Sequence, residues 1–351
     1  MFTQTLVPDL LGRVLGSSLV DLLTGPHGVD RYTELVEPTW TLATARARVL
    51  DVCRTTPRSV TLTLEPNAAF PGFRAGQYVT LAVDIDGRRH TRCYSPANAE
   101  NSPVLELTIG RHDGGVVSTY LYDHARPGLV VGLEGVAGNF VLPADRPRRI
   151  LFISGGSGIT PVMSMLRTLR AEGFAGELTF IHYARTAQEA CYRDELAAMP
   201  GVTVLHGYTR SPIGGDLSGH FGPDHLRDAD AVYVCGPPAL VDAVRQACPS
   251  ALAESFVPPV FVVPDTPLGG QVSFADSGVA VTDDGRSILD QAETAGLAPA
   301  SGCRMGICHT CTRPKTRGAV RNLITGAISS ADCEDVQICV SAPVGDVEIA
   351  L

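Results

Sequence analysis

Lysine is nearly absent from this chain: Lys315 stands alone among 28 basic residues, a bias that reports genome composition more than function. Positive charge is scarce altogether. Against 37 acidic residues the formal net charge is −9, which excludes a nucleic-acid partner, because a phosphate backbone requires a concentrated basic surface. No apolar run reaches the roughly 18 residues that a membrane-spanning helix needs, and no basic stretch precedes the apolar N-terminal segment as a secretory signal would demand. The ten cysteines are too scattered for the disulfide framework of a small secreted domain, so a soluble protein in a reducing cytoplasm is expected. A His-rich or Glu-x-x-His carboxylate cluster is also missing, which assigns any activation of oxygen to another protein.

What the chain does contain is organised as several domains. Its 351 residues exceed one ordinary core, and 44% apolar with 19% charged residues is a globular composition. Residues 1–45 read as an N-terminal helical extension. Within it, Leu6, Val7, Leu10, Leu11, Val14, Leu15, Leu19 and Val20 recur at helical spacing over 5–23, with Pro8 in the first turn. Arg13 is the one basic residue of that stretch, so packing on the next domain is favoured over a membrane surface.

From residue 46 the pattern changes to short alternating runs (RARVLDV, SVTLTLEP, GQYVTLAVDIDG, RRHTRCYSPA, VLELTIG), which predict an antiparallel β-barrel of about six strands over 46–144. Two places in it carry chemistry. Arg92, Cys93, Tyr94 and Ser95 put a cation, a ring and a hydroxyl at one strand end. Gly114 and Gly115 then give way to Val116, Val117 and Ser118, where helix N-terminal amides are suited to a pyrophosphate. Residues 145–256 predict an open parallel sheet of the α/β class. The apolar strand RRILFIS runs into Gly155, Gly156, Ser157, Gly158, Ile159, Thr160 and Pro161 and then a helix, a phosphate-binding unit. LTFIHYAR and AVYVCGPPALVDAVRQA add further buried strands.

Choice of nicotinamide nucleotide turns on the end of LTFIHYAR. An acidic residue there would bind ribose hydroxyls, whereas an arginine suits a further phosphate. The strand ends in Arg185, with Tyr192 and Arg193 just beyond, and the acidic Glu177 lies at its other end. NADPH is therefore expected, with Arg185 and Arg193 on its phosphate; NADH is the alternative. Residues 257–270, VPPVFVVPDTPLGG, read as an extended linker that lets the flanking domains reorient.

Over 271–351 two alternating strands and a helix lead into SGCRMGICHTC. Cys303, Cys308 and Cys311 have four and then two residues between them, and Cys339 follows 28 positions on. This is plant-type spacing for a 2Fe-2S cluster, with Gly302 and Gly306 letting backbone N–H groups wrap the sulfurs. A structural zinc site also uses four cysteines, but usually as paired short-spaced knuckles. Cys333 competes as fourth ligand; Cys339 is preferred, because Glu334 and Asp335 beside Cys333 disfavour further negative charge.

CRMGICHTC, with ILDQAETAG before it and QICVSAPVGDVEI after it, resembles plant-type ferredoxins over about the last 80 residues. That implies an α+β, β-grasp-like domain with Cys339 in a strand. Arg92 to Ser95 together with the Gly114–Ser118 turn resemble the flavin domain of the ferredoxin–NADP reductase superfamily, and GGSGITP with VCGPP resembles its nicotinamide domain. The resemblance implies FAD, with Arg92 on its pyrophosphate, Tyr94 against the flavin, Ser95 near N5 and Ser118 at the phosphates. It further implies Cys235 beside the nicotinamide, Gly236 and Pro237 shaping its pocket, and Glu254 and Phe256 as the terminal acidic and aromatic pair. Val136, Ala137 and Gly138 depart from the Pro-Gly common in that family.

The whole order resembles single-chain reductases that feed oxygenases and desaturases, with HGVDRYTELVEPTW similar to those serving acyl-lipid desaturases. What is then expected is transfer of electrons from NADPH through FAD and a 2Fe-2S cluster, singly, to a separate oxygenase, hydroxylase or desaturase. Ser95, Cys235 and Glu254 would carry hydride transfer, a positioning task. Any membrane contact would come through the partner. Two rivals are a flavin reductase acting directly on a small acceptor such as a quinone, and a zinc-holding redox sensor.

Overall fold

The computed structural model describes residues 29–211, 214–256 and 269–351. The amphipathic stretch 5–23 lies outside them, as does most of the proline-rich segment. The described residues form two compact units, one holding the first two sheets apart from His90–Cys93, and the other the C-terminal sheet together with those four residues.

Before the first sheet comes a short helix, α1 (Asp30–Val36). It is closed back on the chain by Asp30, whose carboxylate accepts from the N–H of Leu42 at 2.7 Å and Ala43 at 3.0 Å. The helical extension is thus helical over only part of residues 29–45.

The first sheet comprises β1 (Arg46–Thr56), β2 (Ser59–Pro66), β3 (Tyr78–Ile85), β4 (Arg88–Tyr94), β5 (Leu105–Gly110) and β6 (Val130–Ala137), in the order β4-β3-β6-β1-β2-β5. The pairings are antiparallel, as short alternating strands joined by tight turns require. Inward residues such as Val60, Leu62, Leu64, Leu81, Leu107 and Ile109 are fully buried in one core. Helix α2 (Val116–His124) adds Val117 and Leu121 to it.

The second sheet is parallel: β7 (Arg149–Gly155), β8 (Glu177–Ala184), β9 (Val202–Tyr208), β10 (Ala231–Cys235) and β11 (Leu252–Glu254), ordered β11-β10-β7-β8-β9. Chain order therefore reverses between β7 and β10, the switch point at which open α/β sheets take their ligands. Helix α3 (Ile159–Ala171) follows β7, α4 (Arg193–Ala198) follows β8, and α5 (Pro238–Ala247) follows β10. The strands are apolar on both faces because helices cover them.

The third sheet contains β12 (Gln271–Phe274), β13 (Val279–Thr282), β14 (Thr312–Asn322), β15 (Ile328–Ser329), β16 (Glu334–Gln337) and β17 (Ser341–Ile349), with α6 (Ile288–Thr294). It is mixed: β12 pairs β17 in parallel and β13 antiparallel. Gly270, at φ +118, already packs here, since an added Cβ would lie 2.3 Å from the Gly345 carbonyl carbon. Lys315 is fully buried on β14; its ammonium donates to the carbonyls of Gly318 and Ala331 at 2.6 and 2.5 Å and pairs with Glu334 at 2.8 Å. That contact pins β16, the strand that delivers Cys339.

Candidate functional site

Ser95 follows β4 directly, is 2% exposed, and its Oγ is buried without a hydrogen-bond partner. Such a group costs free energy unless a ligand completes it. Tyr94 is half-buried against the barrel core, and the Arg92 guanidinium folds back onto the Thr91 carbonyl at 2.7 Å. The second flavin-side feature is the turn before α2. Gly114 at φ +77 and Gly115 as N-cap, with no side-chain cap, leave the first N–H groups of the helix free. An open cavity of about 580 Å³ faces this turn, lined among others by Asp86, Arg111, His112, Gly115 and Val116. Ser118 and Val117 are both engaged within the protein. The Ser118 hydroxyl accepts from the His112 N–H at 3.3 Å and so shapes the turn, and Val117 is core, offering a ligand only its backbone.

At the switch point the two loops interlock. An added Cβ on Gly158 would lie 2.3 Å from the Cys235 carbonyl oxygen, and one on Gly155 would lie 2.9 Å from Pro237. Gly156 turns the chain at φ +54. Gly236 backs onto Gly155 across the same gap, 3.1 Å from its nitrogen to a Cβ position. Thr160 and Pro161 are buried in the first turn of α3, where the Thr160 hydroxyl donates to the Ser157 carbonyl at 3.2 Å. Gly158→Ala should lower unfolding stability by about 1–3 kcal/mol, read by urea denaturation, because a backbone oxygen cannot step aside.

Across the sheet one polar residue per strand falls in register: Glu254 with Cys235, Cys235 with Ser154, Ser154 with His182, His182 with His206. Ser154 Oγ meets His182 Nδ1 at 2.8 Å. Burial holds the His182 imidazole down to about 3, so it is neutral, and pushes the Cys235 thiol well up, so it stays protonated. Glu254 keeps one oxygen, Oε2, buried without a partner, and burial pushes its carboxyl up to about 8. Phe256 is half-buried two residues past β11. Ser154 and His206 were not among the expected site residues. Their signal is a polar residue near the end of an apolar parallel strand.

Arg185 and Arg193 are about half exposed beyond β8, paired with Glu189 at 3.6 Å and Asp194 at 3.4 Å. Arg193 also hydrogen-bonds Tyr208 at the end of β9, and the Arg210 N–H donates to the Arg185 carbonyl at 2.9 Å. The ends of β8 and β9 thus gather three arginines. Tyr192 does not join them; its side chain turns toward the first sheet.

The cysteine loop of the C-terminal unit is bent left-handed at Arg304 (φ +56), Gly306 (φ +72) and His309 (φ +57). This turns backbone donors onto sulfur: Met305 and Cys308 N–H to Cys303 Sγ at 3.3 and 3.4 Å, and Cys303 N–H to Cys308 Sγ at 3.2 Å. Helix α6 holds Arg304 through Asp290 at 3.2 Å, and Gln337 Nε2 donates to the Gly306 carbonyl at 2.7 Å. The thiols fall in two hydrogen-bonded groups, Cys303 with Cys308, which the Cys93 thiol also joins, and Cys311 with Cys339. The bond from Cys339 holds the Cys311 thiol below its ordinary value. Among the described residues no three His, Cys, Asp or Glu side chains gather as one mononuclear metal would need. Two pairs with N–H donors on sulfur suit the two irons of a 2Fe-2S cluster. Cys339 sits in the turn between β16 and β17, not in a strand as expected, because β16 ends at Gln337. Cys333 is exposed, with its sulfur 3.9 Å from the Thr316 carbonyl.

An antiparallel sheet with an orphaned serine, a switch-point nucleotide cleft and a three-cysteine loop with a fourth cysteine from a distant turn define a flavin- and nicotinamide-dependent iron–sulfur oxidoreductase. Three family profiles match in that order: an oxidoreductase FAD-binding domain over 50–142, an oxidoreductase NAD-binding domain over 152–246, and a 2Fe-2S iron-sulfur cluster binding domain over 274–343. The chain belongs to this family, the ferredoxin–NADP reductase superfamily with a C-terminal 2Fe-2S ferredoxin. It is 37% identical to an NADPH oxidoreductase of Mycobacterium tuberculosis over 92% of this chain and 89% of that one. It is 31% identical to a stachydrine N-demethylase reductase subunit of Rhizobium meliloti over 84% and 92%. In fold it is similar to phthalate dioxygenase reductase, with a TM-score of 0.60 at 24% identity, covering 87% of this chain and 97% of that one. No helix among the described residues is long and apolar enough to cross a membrane.

Proposed function

We propose that this chain is the electron-supplying component of an oxygenase or desaturase system, taking a hydride from NADPH and releasing electrons one at a time to a separate metalloprotein. The observation that carries this reading is the pair of thiol pairs, Cys303/Cys308 and Cys311/Cys339, downstream of a flavin sheet and a nucleotide sheet. FAD, when bound, converts a two-electron hydride into single electrons that a 2Fe-2S cluster can carry. The relative named as the reductase subunit of stachydrine N-demethylase supports an oxygenase partner.

The residues divide the work. Ser95 offers its unpartnered hydroxyl to the flavin, and the free N–H groups before α2 hold the pyrophosphate. Gly155, Gly156 and Gly158 let the nucleotide phosphates approach the start of α3, and Gly236 and Pro237 shape the nicotinamide pocket. The protonated, buried Cys235 thiol gives that pocket a compact and uncharged wall. Glu254 holds a proton at neutral pH and so adds no negative charge where the hydride is delivered. No disulfide joins any cysteine of the described residues, in keeping with a reducing cytoplasm.

Arg185 and Arg193 are the contacts for the 2′-phosphate of NADPH. Comparison of kcat/KM for the two nucleotides tests this. The protein should prefer NADPH, and Arg193→Ala or Arg185→Ala should each reduce that preference by about tenfold or more, the worth of a charge-assisted hydrogen bond. A clear preference of the unmodified protein for NADH would overturn the assignment.

A further inference from the structure

Tyr192 belongs to the nucleotide half by sequence but makes its polar contacts with the flavin sheet. It is the N-cap of α4 and holds a left-handed backbone, φ +59, a conformation in which a bulky non-glycine residue is strained. Its hydroxyl lies 3.0 Å from Glu106 Oε1 and is hydrogen-bonded to Thr108 Oγ1, both on β5. Thr108 in turn bonds Thr61 on β2 at 2.7 Å. Over the tyrosine ring, 4.9 Å from its centroid, sits the Arg167 guanidinium of α3, bonded to Glu106 at 2.7 Å and to Glu195 of α4 at 2.6 Å. Arg167 also donates to the Ala97 carbonyl at 2.9 Å, two residues beyond Ser95. One buried network therefore joins β5, the segment after Ser95, α3 and α4.

Its placement gives it a consequence for the reaction. Arg193 follows Tyr192 directly, and α3 begins at the glycine turn. A tie through Tyr192 and Arg167 fixes both nucleotide-binding segments against the sheet that carries Ser95. Hydride transfer depends on such registry, since a displacement of about 1 Å at the reacting atoms costs up to about 100-fold in rate.

We propose that Tyr192 is a positioning residue for hydride transfer, its hydroxyl seating the nucleotide-recognition segment on Thr108 and Glu106 of the flavin sheet. The inference rests on the reading that NADPH reduces a flavin here.

The test uses the FAD-loaded protein and its Tyr192→Phe variant, which keeps the ring under Arg167 and removes only the hydroxyl. Single-turnover flavin bleaching by NADPH should slow by about tenfold. Affinity for 2′,5′-ADP, by calorimetry, should stay within about twofold, because Arg185 and Arg193 remain. The long-wavelength charge-transfer absorbance on adding NADP⁺ to the reduced protein should weaken, a readout that needs no turnover. Thr108→Val should behave alike, and the double variant should be no slower than either single one, as expected of one shared contact. An unchanged bleaching rate in Tyr192→Phe, or additive losses in the double variant, would overturn the proposal. Failure of NADPH and NADH alike to bleach the unmodified protein would instead overturn the functional reading beneath it.

Discussion

Replacing Cys308 by serine should abolish reduction of a one-electron protein acceptor, by at least about 100-fold, while leaving NADPH-to-ferricyanide turnover within about twofold. A hydroxyl is a far poorer iron ligand than a thiolate, and Cys308 Sγ is also the acceptor for the Cys303 N–H at 3.2 Å, so the change removes a ligand and disturbs its pair. The flavin and nucleotide sheets contain none of these cysteines, so reduction by NADPH and discharge to ferricyanide should proceed. Cytochrome c serves as the protein acceptor, and iron content with the visible spectrum reports loss of the cluster separately. Protein reduction that persists in a variant without the cluster would place the exit elsewhere, and the small-acceptor reading would then stand.

Glu254→Gln should change the response to pH. Burial raises the Glu254 carboxyl from an ordinary 4.5 to about 8, so between those values the folded protein holds a proton that the unfolded chain has released. Stability contributed by this group therefore falls as pH rises through that window, the reverse of a salt-bridged carboxylate. The window is worth on the order of 4 kcal/mol, reduced to about 2 by the part of the side chain still near solvent. Urea unfolding at about pH 6 and about pH 9 should show the glutamine variant gaining on its parent by about 1 kcal/mol, the share of the window that lies above pH 6, since glutamine has no proton to lose. Flavin reduction should follow the same group. On the role proposed for Glu254, the parent slows above about pH 8, where its carboxyl ionises, and the variant does not. A parent whose rate and stability are flat across this range would remove Glu254 from the reaction.

Much of this was legible in the sequence because it is local. Alternation over SVTLTLEP, the glycine turn after RRILFIS and the spacing of Cys303, Cys308 and Cys311 each lie within one short segment whose geometry follows from its own residues. Register is not local. That Ser154, His182 and His206 form one row depends on how three strands pair, and nothing in ILFISG, TFIHYA or VLHGY says so. Cys339 was legible as a pair partner for the loop but not as a turn residue, because the ICVSAP run is apolar enough to extend a strand back to it. The contact of Tyr192 with β5 was not legible for a related reason: a helix N-cap turns successive side chains in different directions, and the partners Glu106 and Thr108 are distant in the chain. Val117, next to the Gly114–Gly115 turn, is core of the first sheet by the same logic.

Lys315 has a practical consequence. The chain has no other lysine, and this one is sealed inside the C-terminal sheet with all three of its donors used. Acylating reagents that seek a primary amine will therefore find, apart from the chain's amino terminus, nothing to modify while that sheet is closed. Labelling of Lys315 becomes a clock for the opening of the cluster domain, read by mass spectrometry on one peptide and blind to motion elsewhere.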